Sequence, residues 1–347
     1  MAAKKTILLF ALLTFVITVV NSQSVQMKYV NGSLERGAVC LDGSSSVCYI
    51  HKGVGHGRNN WLLHLQGGGW CFNKTNCKDR ASTSYLGSSN LMNKYVNFTG
   101  FLSNDSRINP EFHSWNRVYI PYCDGSSFTG NVEAVDPVTN VTYRGLRIFE
   151  ATMDDLLSQG MEDAQNALLS GVSAGGLATM IHCDRFRDLL PMTARVKCLA
   201  IASYFVHEVH LNGSKQFESI FEALISLHGS SKGLPSQCTS RMSPSLPVLL
   251  SPILLAYNRD VCVHKHVSIR SCSNLRQYVL SELPKGYFFE RGIWITSCIA
   301  HIIPYFVNQT TYAEVFRDWY VNGGSLQIVD DSDIPKNCSS QGIKPNS

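Results

Sequence analysis

The stretch Asn166-Ala167-Leu168-Leu169-Ser170-Gly171-Val172-Ser173-Ala174-Gly175-Gly176-Leu177-Ala178-Thr179-Met180-Ile181 decides the fold. Asn166 to Gly171 is a short apolar run of the kind that forms a buried strand. From Leu177 to Leu190 the apolar residues follow a helical pattern that stops at Pro191. Between them, Gly171-Val172-Ser173-Ala174-Gly175 fits Gly-x-Ser-x-Gly, the sharp turn that exposes a serine between a strand and a helix. Glycine is required two residues either side of Ser173 because side chains there would collide where strand and helix pass closely. A second match, Gly229-Ser230-Ser231-Lys232-Gly233, follows the helical stretch Phe217 to Leu227 and runs into Pro235. That context puts Ser231 in a loop.

The same alternation repeats outward from this segment. Trp61 to Gln66 reads as a strand cut off by three glycines, and Arg117 to Cys123 as another, ending in Asp124-Gly125. Leu146 to Ser158 carries apolar residues at 146, 149, 153, 156 and 157, close to helical spacing, and stops at Gly160. Val196 to Phe205 and Val248 to Tyr257 are two further buried-strand candidates. Near-continuous apolar strands alternating with helices predict an α/β fold with a mostly parallel sheet covered on both faces. No linker, repeat or low-complexity tract divides the chain, so the reading is one domain with large loop insertions.

A serine hydroxyl is a poor nucleophile until a base takes its proton and donors receive the oxyanion. The loop Gln66-Gly67-Gly68-Gly69-Trp70, after an early strand, offers such donors. In glycine-rich loops of this kind one N–H serves the oxyanion and another comes from the residue after the serine. This nominates the backbone of Gly69, Trp70 and Ala174. A phosphate-binding loop is disfavoured, since no Lys-Ser/Thr sequel and no helical pattern follows. Metal chemistry has little footing either. His207-Glu208-Val209-His210 spaces its histidines three apart where a zinc-protease helix needs four. His264 and His266 could share one strand face but lack a visible third ligand. No metal or other cofactor is expected.

The start of the chain reads as an export signal. Lys4 and Lys5 precede an apolar run from Ile7 to Val20, and Asn21-Ser22 gives a small, polar exit. A membrane anchor would need about 20 apolar residues. Residues 1–22 are therefore read as a leader and 23–347 as the mature domain, with no membrane partner after cleavage. The formal charge of +4 drops to +2 once Lys4 and Lys5 are lost. The absence of a basic run leaves nucleic-acid binding without electrostatic support. An apolar content of 44% excludes a disordered or fibrous chain. All 12 cysteines lie beyond residue 22, and an even count in an exported chain predicts disulfides, up to six. Eight Asn-x-Ser/Thr acceptors, at Asn31, Asn73, Asn97, Asn104, Asn140, Asn212, Asn308 and Asn337, fit the same route.

Several stretches together resemble one family, the plant pectin acetylesterases, which are related to the animal carboxylesterase Notum. They are Gly37 to Gly43, Gln66 to Cys71, Tyr122 to Gly130, Met153 to Leu157, Ser173 to Leu177 and His182-Cys183-Asp184. The resemblance runs in order from about Gly37 to Ser243 and resumes from Thr296 to His301. It implies an α/β-hydrolase-like fold and a secreted, cell-wall glycoprotein that removes O-acetyl groups from acetylated pectin without a metal. Carried over by position, the family's serine falls on Ser173 and its histidine on His301. The histidine also agrees with the chain order Ser, Asp/Glu, His of this hydrolase class.

The third member is where this chain departs from the family. An apolar strand ending in Ala-Tyr-Asp is expected, but Pro252 to Tyr257 is followed by Asn258, and the carboxylate appears at Asp260. The chain is also shorter than the family between Ser243 and Cys272. Either Asp260 orients His301, or Asn258 holds the position and the triad is incomplete. Asp to Asn in this role lowers turnover by about 10⁴ in serine proteases, because the imidazole takes the wrong tautomer. Two alternatives to the acetylesterase follow from these features: a catalytically impaired carbohydrate-binding relative, and a Notum-like lipid carboxylesterase. Oligomeric state is not legible in the sequence.

Overall fold

The computed structural model describes residues 23–203, 205, 216–234, 261–266, 293–296, 306–307, 310–311, 317–321 and 327–329. Its strands are β1 (Gln23–Tyr29), β2 (Val47–His51), β3 (Asn60–Leu65), β4 (Tyr95–Phe98), β5 (Asn116–Ile120), β6 (Asn166–Val172) and β7 (Arg195–Ile201). They continue with β8 (Val261–His266), β9 (Ile293–Thr296), β10 (Phe306–Val307), β11 (Thr310–Thr311) and β12 (Gln327–Val329). The α-helices are α1 (Lys74–Thr83), α2 (Gly145–Ser158), α3 (Ala174–Asp188) and α4 (Gln216–His228).

Ten strands form one sheet in the order β12-β9-β8-β7-β6-β3-β5-β2-β1-β4. The run from β12 to β5 is parallel throughout. Its central strands are buried along nearly their whole length, as the apolar runs in β3 and β6 require. At the other end, β2, β1 and β4 pair antiparallel. With only this margin antiparallel, the sheet is mostly parallel, as expected. Its last strand, Tyr-Val-Asn-Phe, buries only Phe98, so it carries no apolar run to read.

Side-chain parity along the strands divides the core in two. Leu63, Leu65 and Leu169 pack on one face with Ile148, Phe149 and Leu156 of α2 and Leu177, Ile181 and Phe186 of α3. Leu62, Leu168 and Leu199 pack on the opposite face with Trp115, Trp319 and Tyr320. The expected helix from Leu146 forms one residue earlier, and the expected helix from Leu177 already begins at Ala174. The strand expected over Val196 to Phe205 ends at Ile201, where Ala202 turns into a left-handed conformation at φ 51°. The strand expected over Val248 to Tyr257 lies outside the described residues.

Two expectations are corrected. A helix, α1, does follow the glycine loop, capped by the Asn73 side chain accepting from the Asn76 N–H. Only Cys77 and Ala81 of it are buried, so no apolar stripe announced it. Among the described residues, three disulfides join Cys40 to Cys123, Cys71 to Cys77 and Cys183 to Cys198. Cys48 is buried and free, which lowers the maximum from six bridges to five. Burial pushes its thiol up to about 12. Among the described residues, no helix is long and apolar enough to cross a membrane.

Two imidazoles, His182 and His228, are fully buried in this framework, and a third, His64, is partly buried on β3. Loss of solvation holds His64 and His228 down at about 4 and His182 at about 3. They stay neutral in the folded chain but titrate near 6.5 when unfolded. Their contribution is present above pH 6.5 and is lost as pH falls toward 4. Asp124 acts with opposite sign. Burial raises it from 3.8 to about 6, so its stabilising contribution is complete below pH 3.8 and disappears as pH rises through 6. Three groups outweigh one, and urea midpoints should therefore be clearly lower at pH 5 than at pH 7.5. Equal midpoints at the two pH values would show that these imidazoles are not held neutral.

Candidate active site

Ser173 sits between the end of β6 and the start of α3 with φ 56° and ψ −124°. Such a conformation costs a residue with a side chain about 1–3 kcal/mol and persists only when its surroundings fix it. Here they do. The Ser173 N–H donates to the Ile201 carbonyl at 2.8 Å, and its own carbonyl accepts from Gly176 N and Leu177 N at 3.0 Å. That carbonyl also accepts from Ser203 Oγ at 2.9 Å. The glycines around it are sterically required. A Cβ on Gly171 would lie 2.2 Å from the Gly175 carbonyl oxygen, and one on Gly175 would lie 2.2 Å from that of Leu65. Gly176 is equally constrained, its Cβ position falling 1.8 Å from Ser203 Oγ.

In-register pairing brings the second element to the same edge of the sheet. Leu65 of β3 is level with Gly171 of β6, and Gly171 with Ala200 of β7. The chain leaving β3 is therefore delivered beside Ser173, at the carboxyl ends of the strands where open α/β sheets bind ligands. A Cβ on Gly67 would stand 2.4 Å from the Val172 oxygen and 2.9 Å from Ser173 Cβ. Gln66 fixes the loop entrance: its N–H donates to the Ile120 carbonyl at 3.0 Å, and its Oε1 accepts from Tyr122 N at 3.0 Å. Gly69 has φ +62°, in open space. Among the described residues, the N–H groups of Gly69, Trp70 and Ala174 donate to no protein group. The loop and Ser173 are partly exposed. The elbow, with Ser173 and the buried Ala174, and the glycine loop, with the partly exposed Gly69 and Trp70, thus lie at the same edge of the sheet.

The turn from Asp124 to Gly130 lies behind them, and its polar side chains were not singled out as functional from the sequence. Asp124 Oδ2 accepts from Ser126 N at 3.0 Å, Ser126 Oγ at 2.6 Å and Phe128 N at 3.0 Å. The buried His182 Nε2–H donates to the Phe128 carbonyl at 2.9 Å, and its ring stacks on Phe149 at 4.2 Å. Two successive residues, Ser127 and Phe128, are left-handed at φ 55° and 58°. Nothing in Ser-Ser-Phe spells a left-handed pair, so only the three-dimensional arrangement reveals it.

The remaining sequence-nominated residues lie elsewhere. Asn258, Asp260 and His301 lie outside the described residues, as do His207 and His210. Asn258 and Asp260 precede β8 in the chain, and His301 follows β9. Both strands run parallel to β7. Ser231, the rival serine, is exposed on a 3₁₀ turn, Ser230–Gly233, after α4. Cys71, Cys77 and His228 gather their ligand atoms within 4.8 Å of one another. Both sulfurs belong to one disulfide, so they present no thiolate. The His228 Nε2–H instead donates to the Cys71 carbonyl at 2.8 Å.

Comparison with known proteins bears on the family and the fold. The family model described as Pectinacetylesterase matches residues 18–259. Pectin acetylesterase 7 of Arabidopsis thaliana is 47% identical over 236 residues, covering 68% of this chain and 60% of that protein. The chain thus spans about three fifths of that relative's length. Pectin acetylesterase 5 of the same plant is 37% identical, with 89% of this chain and 83% of the relative covered. The solved structure of the Wnt deacylase Notum from Drosophila superposes with a TM-score of 0.76 at 18% identity, covering 90% of this chain and 98% of that one. At that identity the likeness shows the fold, which is α/β-hydrolase-like.

The two loop glycines should respond differently to a methyl group. Gly67→Ala drives a Cβ into backbone and should lower stability by about 1–3 kcal/mol. Gly69→Ala meets no atom and pays only the left-handed cost of about 1–2 kcal/mol. Thermal unfolding of the pair should rank Gly67→Ala as the more damaging, and the reverse order would contradict the close approach of loop and elbow.

Proposed function

The chain belongs to the pectinacetylesterase family, and from that premise we propose that it is a secreted carboxylic ester hydrolase that removes O-acetyl groups from acetylated pectin. The observation that carries the reading is the strained, half-buried Ser173 beside a glycine loop in which the N–H groups of Gly69 and Trp70 have no acceptor among the described residues. In this reading Ser173 Oγ attacks the acetyl carbonyl while the imidazole of His301 takes its proton. The N–H groups of Gly69, Trp70 and Ala174 receive the oxyanion. The sugar oxygen leaves with the proton from His301, and water then hydrolyses the acetyl-serine by the same route. Asp260 orients the histidine. No step requires a metal, because polarisation of the carbonyl is supplied by fixed N–H dipoles.

Export to the cell wall fits the leader-like start, the disulfides and the acceptor asparagines. Among the described residues, Asn31, Asn73, Asn97, Asn104 and Asn140 are all exposed. The mildly positive net charge of the mature chain suits a polysaccharide bearing carboxylates.

The test is acetate release from acetylated pectin by the exported, full-length protein. Ser173→Ala should abolish it, and wild-type activity in that variant would remove the elbow from the mechanism. The third position is decided by two further variants. If Asp260 orients His301, Asp260→Asn should cost orders of magnitude while Asn258→Asp changes little. If Asn258 fills the position, the native enzyme should be slow and Asn258→Asp should accelerate it. Acetate release that is absent from the wild type and from every variant would replace the esterase with the carbohydrate-binding relative.

A further inference from the structure

We infer that Ser127 is a positioning residue that locks the two halves of the oxyanion site to each other, an inference that rests on the esterase reading above. The donors nominated for the oxyanion come from two separate segments. Gly69 and Trp70 belong to the loop after β3, and Ala174 to the first residue of α3. Ser127 lies between them, fully buried, and its hydroxyl bonds to both. Trp70 Nε1–H donates to Ser127 Oγ at 2.8 Å, and Ser127 Oγ donates to the Ala174 carbonyl at 2.8 Å.

The direction of this relay is forced by the chemistry of its ends. An indole nitrogen can only donate and a carbonyl oxygen can only accept, so within this relay the Ser127 proton is directed at the Ala174 carbonyl. The relay therefore fixes a distance between the two segments. Anchoring of the hydroxyl is equally specific. Ser127 N–H donates to the buried Tyr122 hydroxyl at 2.9 Å. Asp124, Ser126 and His182 hold the flanking turn, with Gly130 N donating to Ser126 Oγ at 3.0 Å. That investment keeps two adjacent non-glycine residues left-handed. A turn needed only to reverse the chain could use glycine there and avoid the strain. What the conformation achieves is to aim Ser127 Oγ between Trp70 and Ala174.

On the other side, Trp70 is braced by edge-on contacts with Phe205 at 4.8 Å and Phe221 at 5.0 Å. Its indole N–H is thus presented toward Ser127 by packing. Its backbone N–H is left for the oxyanion. Oxyanion donors act by being in place before charge develops, so a residue that fixes their spacing affects the transition state and leaves ground-state binding alone.

Ser127→Ala isolates this role, because alanine pays the same backbone cost at φ 55° and only the hydroxyl is lost. With a chromogenic acetate ester and Ser173→Ala as the blank, kcat should fall about tenfold, a part of the roughly 10²–10³ that a lost oxyanion donor costs. KM should stay within about twofold, and kcat/KM should fall with kcat, the pattern of an interaction made only in the transition state. Trp70→Phe keeps the ring contacts and removes Nε1–H, so it should give the same loss. The double variant should be no slower than the slower single variant, since both cut one relay. Wild-type kcat in Ser127→Ala, a change confined to KM, or losses that multiply in the double variant would each overturn the inference. Should Ser127→Ala fail to fold, as judged by circular dichroism, Trp70→Phe alone decides by the same kcat criterion. Failure of the esterase reading looks different: the wild type itself would show no Ser173-dependent hydrolysis, and both conclusions would fall together.

Discussion

Everything at the candidate site depends on how closely three backbones approach at the carboxyl ends of β3 and β6. Gly171, Gly175 and Gly67 lack side chains because carbonyl oxygens occupy the places where a Cβ would go. The contact is between main chains, which cannot rotate out of the way. It fixes the start of α3 against the end of β3, and so fixes Ser173 relative to the glycine loop. A site defined by side-chain packing would tolerate shifts of several tenths of an ångström. Backbone-to-backbone contact does not, and catalysis through preorganised N–H dipoles needs that stiffness.

Stiffness at the surface is supported by polar burial underneath. Asp124 is buried with its carboxyl raised to about 6, mainly by loss of solvent, although three donors on Oδ2 favour the charged form. Its Oδ1 has no partner among the described residues. A buried, incompletely satisfied carboxyl is expensive, and an apolar residue would serve stability better. The same holds for His182, whose Nδ1 lacks a partner among the described residues while Nε2–H donates to the Phe128 carbonyl. Both groups spend stability on the geometry of one turn, and that turn touches the elbow and the glycine loop. This is the pattern expected where local rules are broken in the interest of a site.

What could be read from the sequence was whatever is written locally. Gly171 to Gly175 is contiguous, its steric demand is short-range, and its strand and helix flank it directly. The glycine loop was legible for the same reason. The antiparallel end of the sheet was not, since β4 exposes most of its residues and offers no apolar run. Nor was α1, whose burial rests on Cys77 and Ala81 alone. Cys48 escaped the pairing expectation because a count of cysteines carries no geometry, whereas on β2 it is buried and free among the described residues. The Asp124–Gly130 turn is the instructive case. Its residues were visible as part of a family resemblance, but their roles depend on Ala174, Trp70 and His182, which are tens of residues distant in the chain. Asn258, Asp260 and His301 were proposed from chain order and resemblance, and they lie outside the described residues.

The disulfide Cys71–Cys77 completes the logic of the loop. A glycine-rich segment is the most flexible backbone available, and flexibility would cost a preorganised site its advantage. Gly67, Gly68 and Gly69 are confined at one end by hydrogen bonds of Gln66 to Ile120, at the end of β5, and to Tyr122. Beyond Trp70, the chain is tied within one residue to α1 by a bridge spanning six positions. His228 holds the Cys71 carbonyl from α4, and Cys71 N donates to the Gly125 carbonyl at 3.1 Å. So the loop is free only where glycine is needed to bring N–H groups to the surface, and rigid on either side. The small size of the bridge matters here. A six-residue loop restricts the unfolded chain far less than the 83-residue span closed by Cys40–Cys123. Its main effect is therefore in the folded state, on the geometry of the segment next to Ser173.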